Sequence, residues 1–344
     1  MRATLSANAP TFVPSRVVQE KRSSPQDVSY QLVETPSDLE FVLQRLRDVP
    51  RFAFDTEFMT SSWKEGQYDR PLDAPVLCLI QVAIPDGSIF VIDVLTLARG
   101  SGKTATTKFL QPFWEMVGDA RIEKVVHAAD AEARFCLQET DRAILPQNVF
   151  DTQIAARFAD VPLCKGNSDA CFRQLGLKTL VERLMQVSLE KEMRKCNWME
   201  RPLSSEQLAY AACDVAFLLA IREKLDARLR PSIRHCVVED CDSVCKKAAG
   251  KEQQQRESEF EEEPTIRLDP LQVLYYFSLC RCLCLSKSIH PANLSLSQRT
   301  MEQIIDTLKR GETPNHVLFQ GWRFEWIGGP LQRLVQSNEA ISFQ

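Results

Sequence analysis

Apolar residues along this chain fall into short runs whose spacing changes with position, and the changes mark its elements. Residues 51–58 (RFAFDTEF) are an apolar, aromatic run that reads as a buried β-strand interrupted by two acids. Residues 76–84 and 88–94 are two more apolar runs, joined by Pro85, Asp86 and Gly87, a strong turn signal. Three strands in close succession predict an antiparallel meander. Before them, residues 36–49 read as a helix with Leu39, Phe41, Val42 and Leu46 on its apolar side and Ser37 as its cap. Residues 61–74, with Trp63 and Tyr68, read as a polar loop.

The pattern then turns to alternation. Residues 108–117 are helical, 122–128 β-rich and 130–138 helical, followed by helices over 152–158, 172–185 and 204–228. A meander followed by alternating strands and helices predicts an α/β fold, a mixed sheet covered by helices on both faces. From 246 to 263 the sequence is polar and repetitive, the composition of a linker. Helices over 269–286, 297–311 and 331–337 then form a small second domain. The predicted organisation is a basic tail over 1–28, a catalytic domain over 29–245, a linker over 246–264 and a helical accessory domain over 265–344.

Composition narrows the function. The chain has 344 residues, 44% hydrophobic and 26% charged, the balance of an ordinary globular protein. Only 12 glycines are present, which disfavours glycine-rich phosphate loops. With a net charge of −4 and a pI near 5.8, contact with nucleic acid must rely on local basic faces and metal ions. The 12 cysteines are irregularly spaced, several inside apolar helical runs, which reads as buried thiols in a reducing compartment. Cys236, Cys241 and Cys245 follow His235, but their spacing lacks the paired C-x2-C knuckles of structural zinc. No apolar run is long enough to span a membrane. The first 26 residues carry Arg2, Arg16, Lys21 and Arg22 against a single acid, Glu20. They read either as a presequence for the mitochondrial matrix or as a basic tail on a cytoplasmic or nuclear protein.

The chemistry lies in the acids. Alternate strand residues point to one face, so Asp55 and Glu57 project together. Two such carboxylates on an interior strand repel one another unless a cation neutralises them. Downstream, an apolar strand delivers His127, and the helix that starts there carries Asp130 and Glu132. Asp151 can cap the helix after it. Tyr210 and Asp214 are four apart on a helix and so face one way. Ser204 or Ser205, with Gln207, caps that helix.

Together these segments resemble the ribonuclease D family, the DEDDy branch of 3′→5′ exonucleases. The matching motifs are 54–58 (FDTEF), 79–82 (LIQV), His127 with Ala128 and Ala129, 151–155 (DTQIA), 198–203 and 210–214 (YAACD), in the family's order over about residues 50–225. Residues 291–308 and 319–329 also look like the end of bacterial ribonuclease D chains. The resemblance implies a ribonuclease H-like catalytic domain with an HRDC-like helical module, and a nuclease that trims RNA 3′ ends to nucleoside 5′-monophosphates. It implies two Mg²⁺ or Mn²⁺ ions held by Asp55, Glu57, Glu132 and Asp214, and no small-molecule cofactor. Tyr210 would orient or deprotonate the attacking water; an ordinary tyrosine, with a pKa of about 10, needs adjacent cations for that. The family has Asp where this chain has Glu132; Asp130, two residues earlier, is the alternative ligand.

The implied partner is a single-stranded RNA 3′ tail, within an RNA-processing complex. Lys191, Arg194, Lys195, Arg201 and the loop around Lys165 are candidate phosphate contacts, and Trp63 and Tyr68 candidate base-stacking residues. Two other readings stay open: an RNA-binding scaffold inactivated by Glu132, and a DNA exonuclease.

Overall fold

A computed structural model of the chain describes residues 17–18, 28–64, 67–99, 103–159, 175–188, 196–254, 270–287, 289, 294 and 296–337. Lys165, Lys191, Arg194, Lys195 and the start of the helix read over 172–185 lie outside the described residues. The chain divides into two compact units. One comprises Met1–Val126, Phe135–Gln147 and Ser188–Leu219; the other comprises His127–Arg134, Asn148–Val187 and Ala220–Gln344.

The first unit is a mixed α/β layer. Its described strands are β1 (Val17–Val18), β2 (Tyr30–Val33), β3 (Arg51–Lys64), β4 (Gln67–Ala83), β5 (Ile89–Asp93) and β6 (Glu123–Val126). They lie in the order β1-β2-β5-β4-β3-β6. β3, β4 and β5 form the predicted antiparallel meander, whereas β2 joins β5 and β6 joins β3 in parallel. Between β4 and β5, Gly87 at φ +90° closes the turn, where a side chain would be strained.

Register assigns each face. Phe54, Val82 and Phe90 form one row across β3, β4 and β5; Asp55, Gln81 and Val91 form the next, on the opposite face. Glu57, Leu79 and Asp93 follow on that second face. On the aromatic face, Phe113 of the helix Lys103–Gly118 meets Phe54 at 5.6 Å and Phe52 at 6.0 Å between ring centroids. Phe41 of the helix Pro36–Arg47 meets Phe90 at 6.5 Å. Every residue of β5 is buried, as expected of a strand covered on both sides.

Three local expectations need correction. Residues 61–74 are no loop: β3 and β4 stay paired out to Lys64 and Gln67, with Trp63 opposite Tyr68. Cross-strand backbone pairing continues beyond the apolar run, helped by Ser62, whose Oγ accepts from Arg70 N and donates to Arg70 O. The stacking role read for Trp63 and Tyr68 rests on side chains outside those described. The first helix is capped by Thr35, whose Oγ1 accepts from Asp38 N at 3.2 Å, and not by Ser37; Pro36 then takes the first helical position, where its missing N–H costs nothing. The helix read over 204–228 is two helices, Ser205–Ala216 and Leu218–Asp226, with Phe217 between them.

The second unit is mainly helical. The helix Arg234–Gln254 runs through residue 246, so the first part of the polar segment read as linker is helical. The helices Pro270–Ser286, Gln298–Lys309 and Gly329–Gln336 lie within or close to the segments read as helical. Segment 319–329 clasps the long helix: Trp322 Nε1 donates to Asp240 Oδ1 at 3.1 Å, and Arg323 reaches both Asp240 oxygens at 2.6 and 2.8 Å. A Cβ on Gly328 would lie 2.2 Å from Leu318 O, so the chain passes too close there for any side chain.

Cys236, Cys241 and Cys245 are buried in this unit. Burial pushes the Cys236 and Cys245 thiols up to about 12 and raises Cys241 well above its ordinary value. Buried and protonated, they pack in the interior of this unit. Cys282 alone among the described cysteines is exposed, and it is expected to react first with a thiol reagent on the native chain. No helix among the described residues is long and apolar enough to cross a membrane.

Candidate active site

The second face of the meander carries the acids. Asp55 and Glu57 stand two apart on β3, side by side as period-two geometry requires. Beside Glu57 the register slips: Glu57 pairs with Leu79 but Phe58 with Leu77, so Cys78 is an extra residue on β4. Such a bulge bends its strand and re-aims the neighbouring side chains.

The third acid arrives on a helix. Ser204 Oγ accepts from Gln207 N at 3.2 Å and Gln207 Oε1 accepts from Ser204 N at 2.9 Å, a complete capping box that starts the helix Ser205–Ala216. Its buried side is Leu208, Ala211, Ala212 and Val215. Small residues there let the helix lie close to the sheet. Asp214 thereby joins Asp55 and Glu57: their carboxylate oxygens all lie within 4.8 Å of one another, and all three residues are half-buried. Tyr210, also half-buried, stands one turn before Asp214, its ring 6.2 Å from that of the buried Trp198.

Arg201 fixes the approach to this helix. It is buried with Asp93 of β5: Nε donates to Oδ2 at 2.6 Å and Nη2 to Oδ1 at 2.8 Å. Its remaining donors go to the carbonyls of Trp198, Glu200 and Cys78. This corrects the reading of Arg201 as a phosphate contact. Its fork is committed to holding residues 198–201 against the acid-bearing face.

Thiols near the acids stay protonated. Burial pushes Cys78 up to about 12, with the Glu57 and Asp93 charges adding and Arg201 opposing. Burial likewise raises Cys196, against a hydrogen bond from Gln207. The three clustered side chains offer carboxylate oxygens as donors.

In the second unit, Asp151 is the organising residue. Its carboxylate accepts four backbone N–H bonds, from Ala128, Ala129, Gln153 and Ile154, at 2.8–3.2 Å. It caps the helix Thr152–Phe158 as read from sequence, and it also clamps the turn that opens the helix Asp130–Glu139. Ala128 holds φ +63° in that turn, and His127 Nδ1 lies 3.0 Å from Thr152 Oγ1. The two candidate acids differ there. Glu132 is buried at 4% exposure, whereas Asp130 is paired with Arg134 at 2.5 Å and a third exposed.

Residues 30–230 match the family described as 3′-5′ exonuclease. This chain belongs to that family. The ribonuclease D of Gluconacetobacter diazotrophicus is 36% identical over 198 residues, covering 58% of this chain and 42% of that protein. The ribonuclease D of Pseudomonas paraeruginosa is 30% identical over 270 residues, covering 78% and 63% respectively. The chain thus spans less than two thirds of the length of these relatives. The crystal structure of Escherichia coli RNase D, described as an exoribonuclease involved in structured RNA processing, superposes with a TM-score of 0.64 at 20% identity, over 90% of this chain and 99% of that one. At that identity the match establishes a shared fold, a mixed sheet flanked by helices.

Within the exonuclease family's segment, sequence reasoning named Asp55, Glu57 and Asp214, which the fold brings together, and Tyr210, one turn from Asp214; it singled out Asp151 as a cap and as part of a family motif. It missed Asp93, the buried partner of Arg201. A lone acid ending an apolar strand was its only sequence signal, and that signal does not identify a partner 108 residues away.

Proposed function

We propose that this protein is a metal-dependent 3′→5′ exoribonuclease that trims RNA 3′ ends and releases nucleoside 5′-monophosphates. The observation that carries the reading is the meeting of Asp55, Glu57 and Asp214 within 4.8 Å in an exonuclease-family domain. Three carboxylates so close oppose one another's ionisation unless a cation is shared among them. An all-oxygen donor set suits a hard divalent ion, Mg²⁺ or Mn²⁺. Two such ions, when bound, supply a water acidified toward hydroxide and offset charge on the departing 3′ oxygen.

The chain's own groups do the rest. Asp55 and Glu57 hold the cations against a rigid strand. Asp214 holds them from the helix, and Tyr210, one turn away, orients the attacking water by its hydroxyl. Glu132 completes the carboxylate set: the Asp151 clamp fixes the start of its helix, it is buried, and Asp130 is already engaged by Arg134. The RNA preference is carried over from the ribonuclease D relatives. The helices of residues 270–336 serve as an HRDC-like accessory module that engages the RNA body.

The test is incubation of the purified chain with 3′-tailed RNA and with 3′-tailed DNA, each across a Mg²⁺ and Mn²⁺ series. Stepwise shortening of RNA, dependent on either ion, is expected. Shortening of DNA alone would make it a DNA exonuclease, and RNA binding without shortening would make it a scaffold. In the same assay Glu132→Asp is expected to retain or raise activity and Glu132→Ala to abolish it. A fully active Glu132→Ala would remove Glu132 from the ligand set.

A further inference from the structure

Gln81 lies at the middle of β4 and is 0% exposed, yet among the described residues neither its Oε1 nor its Nε2 has a hydrogen-bond partner. A glutamine amide offers two donors and an acceptor with two lone pairs. Buried groups of this kind are rarely left unmatched, and an orphan points to an ion, water or ligand that completes it. Its place on the sheet indicates which. Gln81 is the direct cross-strand partner of Asp55 on one side and of Val91 on the other. Side chains directly opposite share a face, with Cβ atoms about 5 Å apart. Along β4 its same-face neighbours are Leu79 and Ala83. Asp55 is therefore the polar residue directly opposite this amide, with Glu57 and Asp93 diagonal to it on the same face, and Asp55 belongs to the acid cluster.

We propose that Gln81 is a positioning residue for the cation-binding carboxylates: with a divalent ion held by the cluster, its amide N–H donates to the Asp55 carboxylate, directly or through one ordered water. This rests on reading the cluster as a divalent-cation site. A carboxylate that ligates a metal keeps its orientation through hydrogen bonds from groups behind it, and losing such a group typically weakens the metal about 10- to 100-fold. An amide suits the task better than a lysine or arginine, because it donates without bringing a positive charge that competes with the cation.

The test uses Gln81→Met, similar in length and flexible enough to fill the same space. Mn²⁺ binding to the full chain is measured by calorimetry, and unfolding of the metal-free chain by denaturant. The expected result is Mn²⁺ affinity about tenfold weaker than wild type, with metal-free stability equal or higher, since an unmatched buried amide has been removed. A glutamine that served only packing would show the reverse, lower stability with affinity kept. Affinity within twofold of wild type overturns the proposal. A wild-type chain that binds no Mn²⁺ overturns the reading of the cluster, and this inference with it. Should the variant fail to fold, the wild-type chain still decides: the Gln81 side-chain amide resonance is expected to move when Mg²⁺ is added, and a stationary resonance overturns the proposal.

Discussion

Asp55→Asn is expected to lower RNA 3′-end shortening by at least about 10³-fold, a barrier increase of ~4 kcal/mol, while leaving the metal-free chain as stable as wild type or more so. The two halves of this result have one cause. Asp55, Glu57 and Asp214 crowd their carboxylates within 4.8 Å, so without a cation each destabilises the others. Removing one charge relieves that repulsion, and it also removes one of the two ligands that β3 presents. A divalent ion at 100 times its dissociation constant should stabilise the wild-type chain by ~2.7 kcal/mol. In the variant that stabilisation should largely vanish. Thermal unfolding with and without Mg²⁺, beside the RNA assay, reads both effects. Full activity in Asp55→Asn, or a metal-free chain several kcal/mol less stable, would place the chemistry elsewhere.

Arg201→Ala is expected to be the most destabilising single change near the site, at about 3–5 kcal/mol. The pair with Asp93 is buried on both sides, with side-chain exposures of 5% and 2%. Truncating the arginine leaves Asp93 charged and unmatched in the interior, and it strips donors from the carbonyls of Trp198, Glu200 and Cys78. Among the described residues Asp93 then keeps its bonds from Thr96 N and Oγ1, at 2.9 and 2.8 Å. Arg201→Lys should recover only part of the loss, because an ammonium cannot reproduce the two-pronged contact. Replacing both partners, Arg201→Met with Asp93→Asn, should cost far less than the two single changes summed. Urea titration measures each cost. Exonuclease activity in Arg201→Lys should also fall, since the segment that leads into the Tyr210 and Asp214 helix is held by this arginine. A loss under ~1 kcal/mol for Arg201→Ala would mean the pair contributes little more than a surface ion pair.

Much of the catalytic domain was legible because its signals are local. The alternation around Asp55 and Glu57 is complete within eight residues, and a strand's period of two puts both acids on one face whatever surrounds it. The Ser204–Gln207 and Asp151 caps likewise depend on atoms three residues apart or fewer. The extended hairpin was not legible. Residues 61–74 are rich in Ser, Lys, Asp and Pro, which favour turns, and only pairing with the opposite strand makes them β. The break at Phe217 was hidden because apolar residues continue through it in helical spacing.

Arg201 shows the limit from the other side. A charged residue near other charged residues reads as solvated, and its burial depends on Asp93, whose own strand is covered by distant segments. Gln81 is similar: it sat inside a recognisable motif, but only the register of β4 against β3 and β5 revealed an unmatched amide beside Asp55.

The order and identity of the acids, the face that Asp55 and Glu57 share, and the pairing of Tyr210 with Asp214 were determined by the chain itself, because each follows from a repeat spanning one or two turns or strand steps. That Asp214 meets two acids more than 150 positions earlier, that Arg201 is structural, and that Glu132 is buried were decided by tertiary structure alone. Those outcomes depend on which surfaces lose water together, and side chains far apart in sequence settle that jointly.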